Sequence, residues 1–173
     1  QKKKYVLAIG RFLEEKGFDY LIQAFVKTGL KDYKLVIAGD TDYPTEYSDR
    51  LKALAVENGV ILTGFIKGEQ LNQIFTWAGL YVMSSFEEGL PIALLEAMSY
   101  DIDALASDIP ANLQVGLNSD DYFKVGDVDE LKEKIINKIR SGKGNDFGEI
   151  LKQRYNWDTI AQETYNVYIN NIN

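Results

Sequence analysis

Tyr5-Val6-Leu7-Ala8-Ile9, closed by Gly10, and Tyr33-Lys34-Leu35-Val36-Ile37-Ala38, closed by Gly39-Asp40, decide the fold. Each run is short, rich in strand-forming residues and apolar at successive positions, so both faces of the strand need cover. Between them, Phe18 to Thr28 sets Leu21, Ile22, Phe25 and Val26 at helix spacing, and Gly29 stops it. Strand, helix, strand, with both strand faces apolar, predicts a parallel sheet between two helical layers.

The alternation continues outward. A helix is predicted over Tyr47 to Asn58, with Leu51, Leu54 and Ala55 inward and Gly59 as its stop. Val60-Ile61-Leu62 reads as a third strand, Gln70 to Ala78 as a helix and Leu80 to Met83 as a fourth strand. Pro91 to Ser99 is the next helix, Ile102 to Ala106 the fifth strand and Tyr122-Phe123-Lys124 a short sixth. Val128 to Ile139 and Asp158 to Ile169 are amphipathic helices, the latter with Ala161, Tyr165, Tyr168 and Ile169 on one face. Short connections imply right-handed crossovers. The expectation is one α/β domain over residues 1–173, a doubly wound, Rossmann-like parallel sheet. Ser141 to Gly148, with Gly142 and Gly144, reads as a loop and hinge before the closing helices.

Composition narrows the chemistry. The chain has 173 residues, 46% hydrophobic and 26% charged, enough for one full core. The net charge of −7 argues against nucleic acid as a partner. With no Cys and no His, the chain offers no disulfide, thiolate, Cys-rich zinc site or imidazole base. No window approaches the roughly 18 apolar residues of a membrane span. The chain starts at Gln1 and enters a strand almost at once, as an excised piece of a longer protein would; Lys2-Lys3-Lys4 reads as a solvated start.

Ligands of open α/β sheets bind beyond the carboxyl ends of the strands. Those loops hold Gly10-Arg11 with Glu14-Glu15-Lys16-Gly17, then Gly39-Asp40, then Gly64-Phe65-Ile66-Lys67, then Ser84-Ser85-Phe86-Glu87-Glu88-Gly89-Leu90-Pro91. Cations, glycines and carboxylates on one rim suit a polar, phosphorylated ligand. Arg11 is a rigid fork and Lys16 a point charge, a pair suited to a diphosphate. Pro91 suits the first helical position, and the N–H groups there favour phosphate. Carboxylates Glu88 and Glu96 beside an anion are tolerable where they bind hydroxyls, as on a sugar. Neither G-x-G-x-x-G nor G-x-x-x-x-G-K-[ST] occurs. Taken singly, Glu88 and Glu96 also read as solvated helix-end carboxylates, Arg11 and Lys16 as surface charge, and Gly64 to Lys67 as a plain turn.

The ordered set is more specific than its parts. G-R-F-x-E-E-K-G, a strand ending A-G-D, T-G-F-I, S-S-F-E-E-G-L-P-I-A-L-L-E-A-M and A-S-D-I-P-A-N resembles the C-terminal, donor-binding domain of retaining glycosyltransferases of the GT-B fold. Their Glu-x7-Glu motif is matched by Glu88 and Glu96, and the resemblance runs from Gly10 to about Trp157. It implies that Arg11 and Lys16 grip the donor diphosphate, Glu88 contacts the transferred sugar, and the amides of Gly89, Leu90, Pro91 and Ile92 (proline contributing only position) meet phosphate or sugar. It also implies that Glu96 binds the ribose, while Gly64, Phe65, Ile66 and Lys67 line the base. The donor would be a UDP-, GDP- or ADP-linked sugar, used without metal or other cofactor. The partner would be an N-terminal acceptor domain of the same protein, without which the fragment is inactive. The setting would be cytoplasmic, with peripheral membrane association through the missing half as a further option, and the product a polysaccharide, glycolipid or glycoprotein glycan.

There are departures from the family pattern. Where it has Gly-x-Pro after the Glu96 helix, this chain has Asp101-Ile102-Asp103; Asp accepts a left-handed cap at about 1 kcal/mol relative to Gly. Gln114 stands where the family often has Glu. Two other readings remain: a GT-B-fold sugar-nucleotide epimerase, and a non-catalytic α/β nucleotide-binding or regulatory module, which at its first strand end would carry acidic residues rather than Arg11. Tyr155, Trp157 and Tyr165 read as core or docking residues.

Overall fold

Each strand splits its side chains between two cores. Val6, Ala8, Leu35, Ile37, Leu80, Val82 and Leu105 face one helical layer; Leu7, Val36, Ala38, Tyr81, Met83, Ala104 and Ala106 face the other. The computed structural model describes residues 4–142 and 147–170. Its order is β1 (Tyr5–Ile9), α1 (Phe18–Lys27), β2 (Lys34–Ala38), α2 (Glu46–Glu57), β3 (Ile61–Leu62), α3 (Glu69–Trp77) and β4 (Leu80–Met83). Then follow α4 (Ile92–Ser99), β5 (Ala104–Ser107), α5 (Pro110–Leu113), β6 (Tyr122–Phe123), α6 (Val128–Ser141), α7 (Gly148–Arg154) and α8 (Trp157–Asn170). The six strands are all parallel, in the order β3-β2-β1-β4-β5-β6. The predicted doubly wound sheet is therefore present. α1, α2 and α6 cover the first face; α3, α4 and α7 cover the second.

Local chemistry fixes the ends of the elements. α2 opens on a reciprocal cap, with Ser48 N–H donating to Thr45 Oγ1 (3.1 Å) and Thr45 N–H to Ser48 Oγ (2.9 Å). Asp127 caps α6 by accepting from the N–H groups of Asp129 and Glu130. α4 closes with Ile102 N–H bonded to Ala97 O and Asp101 N–H to Met98 O, and Asp101 takes the left-handed conformation at φ 51°. That closure uses Asp101 and Ile102, and β5 starts at Ala104 and not at Ile102 as predicted, with Asp103 O accepting from Tyr81 N–H just before it. Asp103 lies just before β5, at the amino edge of the sheet. Lys138 Nζ sits 4.0 Å from its carboxylate and 2.6 Å from Asp121. Asp101 and Asp103 thus lie at the edge opposite the strand-end loops, while Gln114 follows α5 beyond the carboxyl end of β5.

Gly142 ends α6 in the left-handed conformation and Gly148 opens α7. The centre of the expected hinge, residues 143–146, lies outside the described residues, as do Lys2 and Lys3. α5 and α7 were not predicted: four and seven residues are too few to show a helical period. Among the described residues no helix is long and apolar enough to cross a membrane.

Candidate functional site

The strand order reverses between β1 and β4, which is where ligands of such sheets bind. The loops after these two strands are joined at several points. Phe86 N–H donates to Glu15 O (2.7 Å), and Ser84 Oγ donates to Lys16 O (2.8 Å). Tyr20, on α1, donates its hydroxyl to Ser84 O (2.6 Å). Gly17 makes this approach feasible: its φ is 61°, and a Cβ there would lie 2.4 Å from Ser84 O.

Across this junction Lys16 Nζ meets Glu88 Oε1 at 2.7 Å, with the two side chains only 17% and 11% exposed. Ser85 Oγ donates to the same oxygen at 2.6 Å. Arg11 lies on the same rim but differs in setting: its guanidinium is 3.6 Å from Asp42, and both side chains are 60% exposed. An exposed pair of this kind contributes little, so exchanging Asp42 for a ligand oxyanion costs little. On the next loop Lys52 bonds Asp40 and holds its carboxyl below the usual carboxylate range.

α4 begins beside Glu88. Pro91, expected at the first helical position, sits one residue earlier at φ −78°, ψ 65°; its carbonyl takes the N–H of Leu95, as a cap residue's does. The Ile92 N–H is turned back onto Leu90 O (2.8 Å). Gly89 has an ordinary φ and open space beside its Cα, so the fold itself does not require glycine there. Leu90 and Ile92 are exposed, while Pro91 is buried.

Glu96, one turn into α4, is half-buried. Burial pushes its carboxyl up, and none of the described residues bonds it. Beneath lies Tyr81, wholly buried; desolvation first, then the charges of Glu88 and Glu96, raise its phenol.

On the other side of β1, Ile9, Arg11, Ala38, Phe65, Ile66 and Leu71 line a cleft of about 240 Å³. Gly39 N–H donates to Gly64 O (3.0 Å), which hangs the Gly64 loop over the end of β2. Phe65 and Ile66 therefore form part of a largely apolar wall. Lys67 is exposed and outside it. A larger cleft, about 660 Å³, opens at the opposite edge beside Asp121 and Lys138, where Lys138 is already paired with carboxylates. It is remote from the loops just described.

The sequence-predicted residues thus fall in two neighbouring groups: Lys16 meets Glu88 across the β1–β4 junction, with Gly89 to Ile92 leading on to Glu96, while Arg11 shares a cleft with Phe65 and Ile66 and Lys67 lies outside it. Sequence reasoning assigned no role to Ser107, Asn112 or Tyr20, and placed Ser84 and Ser85 on the rim without partners. The signal for Ser84, Ser85 and Ser107 was hydroxyl residues at the ends of otherwise apolar strands; Tyr20 on α1 and Asn112 on α5 carried none.

Residues 1–159 match the family model for glycosyl transferases group 1. The chain belongs to that family. A glycosyltransferase of Methanocaldococcus jannaschii, itself uncharacterised, is 30% identical over 96% of this chain and 45% of its own length. The catalytic domain of cholesterol-alpha-glucosyltransferase from Helicobacter pylori superposes with a TM-score of 0.67 at 28% identity, covering 81% of this chain and 93% of that one. The C-terminal domain of a glycosyl transferase group 1 protein from Francisella tularensis matches in fold, with a TM-score of 0.73 at 18% identity over 90% and 88% of the two chains. This group 1 chain spans less than half the length of the curated relatives it matches first.

Proposed function

We propose that this chain is the donor-binding, C-terminal half of a two-domain glycosyltransferase. The enzyme moves a sugar from a nucleoside diphosphate to an acceptor with retention of configuration, in polysaccharide, glycolipid or glycoprotein glycan synthesis. The observation that carries the reading is the Lys16–Glu88 pair, which joins the loops after β1 and β4 at the switch point just before α4 and unbonded Glu96.

The chemistry follows from the geometry. The diphosphate is held by Lys16, by Arg11 released from Asp42, and by the amide end of α4, without a metal ion. Glu88 offers its carboxylate to hydroxyls of the transferred sugar. Lys16, already 2.7 Å from Glu88, brings the leaving phosphate and the sugar to one point. Glu96 lacks donors of its own, which suits ribose hydroxyls. The base lies in the cleft bounded by Phe65 and Ile66. Gly89, where nothing in the fold demands glycine, admits the donor close to the backbone. α8 buries none of its residues and exposes Trp157, Tyr165 and Tyr168, a face for the N-terminal acceptor domain. The setting is cytoplasmic, with membrane contact left to that domain.

Calorimetry with UDP, GDP and ADP, with and without chelator, tests the reading. One of the three binds in both conditions; a strict magnesium requirement overturns the site. In the complete enzyme Glu88→Gln lowers turnover and leaves nucleotide affinity unchanged. Glu96→Gln weakens nucleotide binding by about 1.5–3 kcal/mol, the value of a charged hydrogen bond. The isolated chain transfers no sugar, because one wall cannot position an acceptor; repeated turnover by it overturns the two-domain reading.

A further inference from the structure

Directly behind the Glu88 loop lie Ser85, Ser107 and Asn112, each exposed by 3% or less. Apolar side chains could fill this interior without needing hydrogen-bond partners. These residues are instead bonded in series. Asn112 Nδ2 donates to both O and Oγ of Ser107, at 3.0 Å each. Ser107 Oγ donates to the carbonyl of Ser85 at 2.6 Å, and Ser85 Oγ donates to Glu88 Oε1 at 2.6 Å. Each hydroxyl has one proton, so Ser107 spends its own on the backbone of Ser85 and Ser85 spends its own on the carboxylate: Ser107 holds the backbone from which the Ser85 hydroxyl reaches Glu88. The far end is anchored too: Asn112 O accepts from the Tyr122 hydroxyl (3.0 Å), which accepts from Leu117 N–H (2.9 Å). No described residue extends a comparable bond to the Glu96 carboxylate.

We propose that Ser85, Ser107 and Asn112 are positioning residues that fix the rotation of the Glu88 carboxylate toward the transferred sugar. Lys16 alone, a point charge, fixes a distance but not an orientation. Lys16 and Ser85 both end on Oε1, so Oε2 is the oxygen presented to the ligand. The series acts on Glu88 and leaves the nucleotide end alone. This inference rests on the reading of Glu88 as the sugar contact, and the test separates the two.

The intact transferase carrying this chain is made as wild type, Ser107→Ala, Glu88→Gln and the double variant. Release of nucleoside diphosphate, with water taking the sugar, is followed with UDP-glucose, GDP-mannose and ADP-glucose, and UDP, GDP and ADP affinities are measured by calorimetry. Ser107→Ala lowers kcat between about tenfold and a hundredfold, the scale of a displaced catalytic group, with donor KM and nucleotide affinity unchanged. Ser107→Thr restores it, and Ser107→Ala has no further effect in the Glu88→Gln background. An equal loss in both backgrounds, a parallel loss of nucleotide affinity, or no loss of kcat overturns the positioning role. Full kcat in Glu88→Gln, or no turnover of any donor by wild type, instead overturns the reading of Glu88 and the inference with it. If Ser107→Ala does not fold, Ser85→Ala, which removes only the terminal bond, is put through the same cycle.

Discussion

Replacing Lys16 by Met leaves the Glu88 carboxylate, 11% exposed, with Ser85 Oγ as its remaining partner in this junction. A fully exposed ion pair is worth about 0–1 kcal/mol, and removing one member of a buried pair costs about 3–5 kcal/mol. At 17% and 11% exposure and 2.7 Å separation the pair lies nearer the second limit, discounted for contact with water. Lys16→Met is therefore expected to lose about 2–3 kcal/mol. Glu88→Gln keeps a hydrogen-bond acceptor beside Lys16 and is expected to lose about 1–2 kcal/mol. The double variant strands no charge and is expected to be no worse than Lys16→Met alone. Urea unfolding of the four proteins at pH 7, compared at equal m, gives the coupling, expected at about 2 kcal/mol. Losses that add to within about 0.5 kcal/mol would mean that the short Lys16–Glu88 contact carries no energy.

Three further outcomes follow from the same geometry. Burial raises the Glu96 carboxyl, so ionised Glu96 weakens the folded state above its folded pKa and the penalty vanishes once it is protonated in both states. Glu96→Gln is expected to be more stable than wild type at pH 7, with the gain closing as denaturation is repeated below the ordinary carboxylate range. Gly39→Ala would put a Cβ 1.9 Å from Gly10 O and is expected to cost more than about 4 kcal/mol in urea unfolding. Gly29→Ala, at φ 66° with open space around it, is expected to cost only about 1–2 kcal/mol. Lys138→Met leaves Asp121 and Asp103 in the interior without that cation and is expected to lose about 3 kcal/mol while nucleotide affinity stays unchanged.

The layering was legible because each strand is apolar at successive positions and most helices carry a clear period. Glycine and the short polar loops then marked the strand ends, so Arg11, Lys16, Glu88 and Glu96 could be placed on one rim before any coordinates. Contacts across that rim were not legible. Lys16 and Glu88 are 72 residues apart, and their meeting depends on β4 lying beside β1. Ser107 reaches Ser85 only because β5 lies beside β4. Asp103 read as a lost proline; its place near Lys138 required α6 to cross back over the sheet. Asp101 was the opposite case: the left-handed preference of Asp is local, and φ 51° is where the sequence put it.

Under the proposed function the two carboxylates of the Glu-x7-Glu pair play different parts. Glu88 is bonded twice on one oxygen, by Lys16 and by Ser85, whose backbone is in turn held by Ser107 and through it by Asn112 on α5. Glu96 is half-buried and unbonded, a condition that weakens the folded state at neutral pH. Were stability the only demand, a neutral side chain at Glu96 would serve better. An acceptor kept partly dry and without donors is matched by a ligand that brings hydroxyls. In the proposed function Lys16, Arg11 and the start of α4 meet the anionic part of the same ligand. Under that proposal hydroxyls and phosphate belong to one molecule, a sugar nucleotide, and the loss of nucleotide affinity expected of Glu96→Gln is its test.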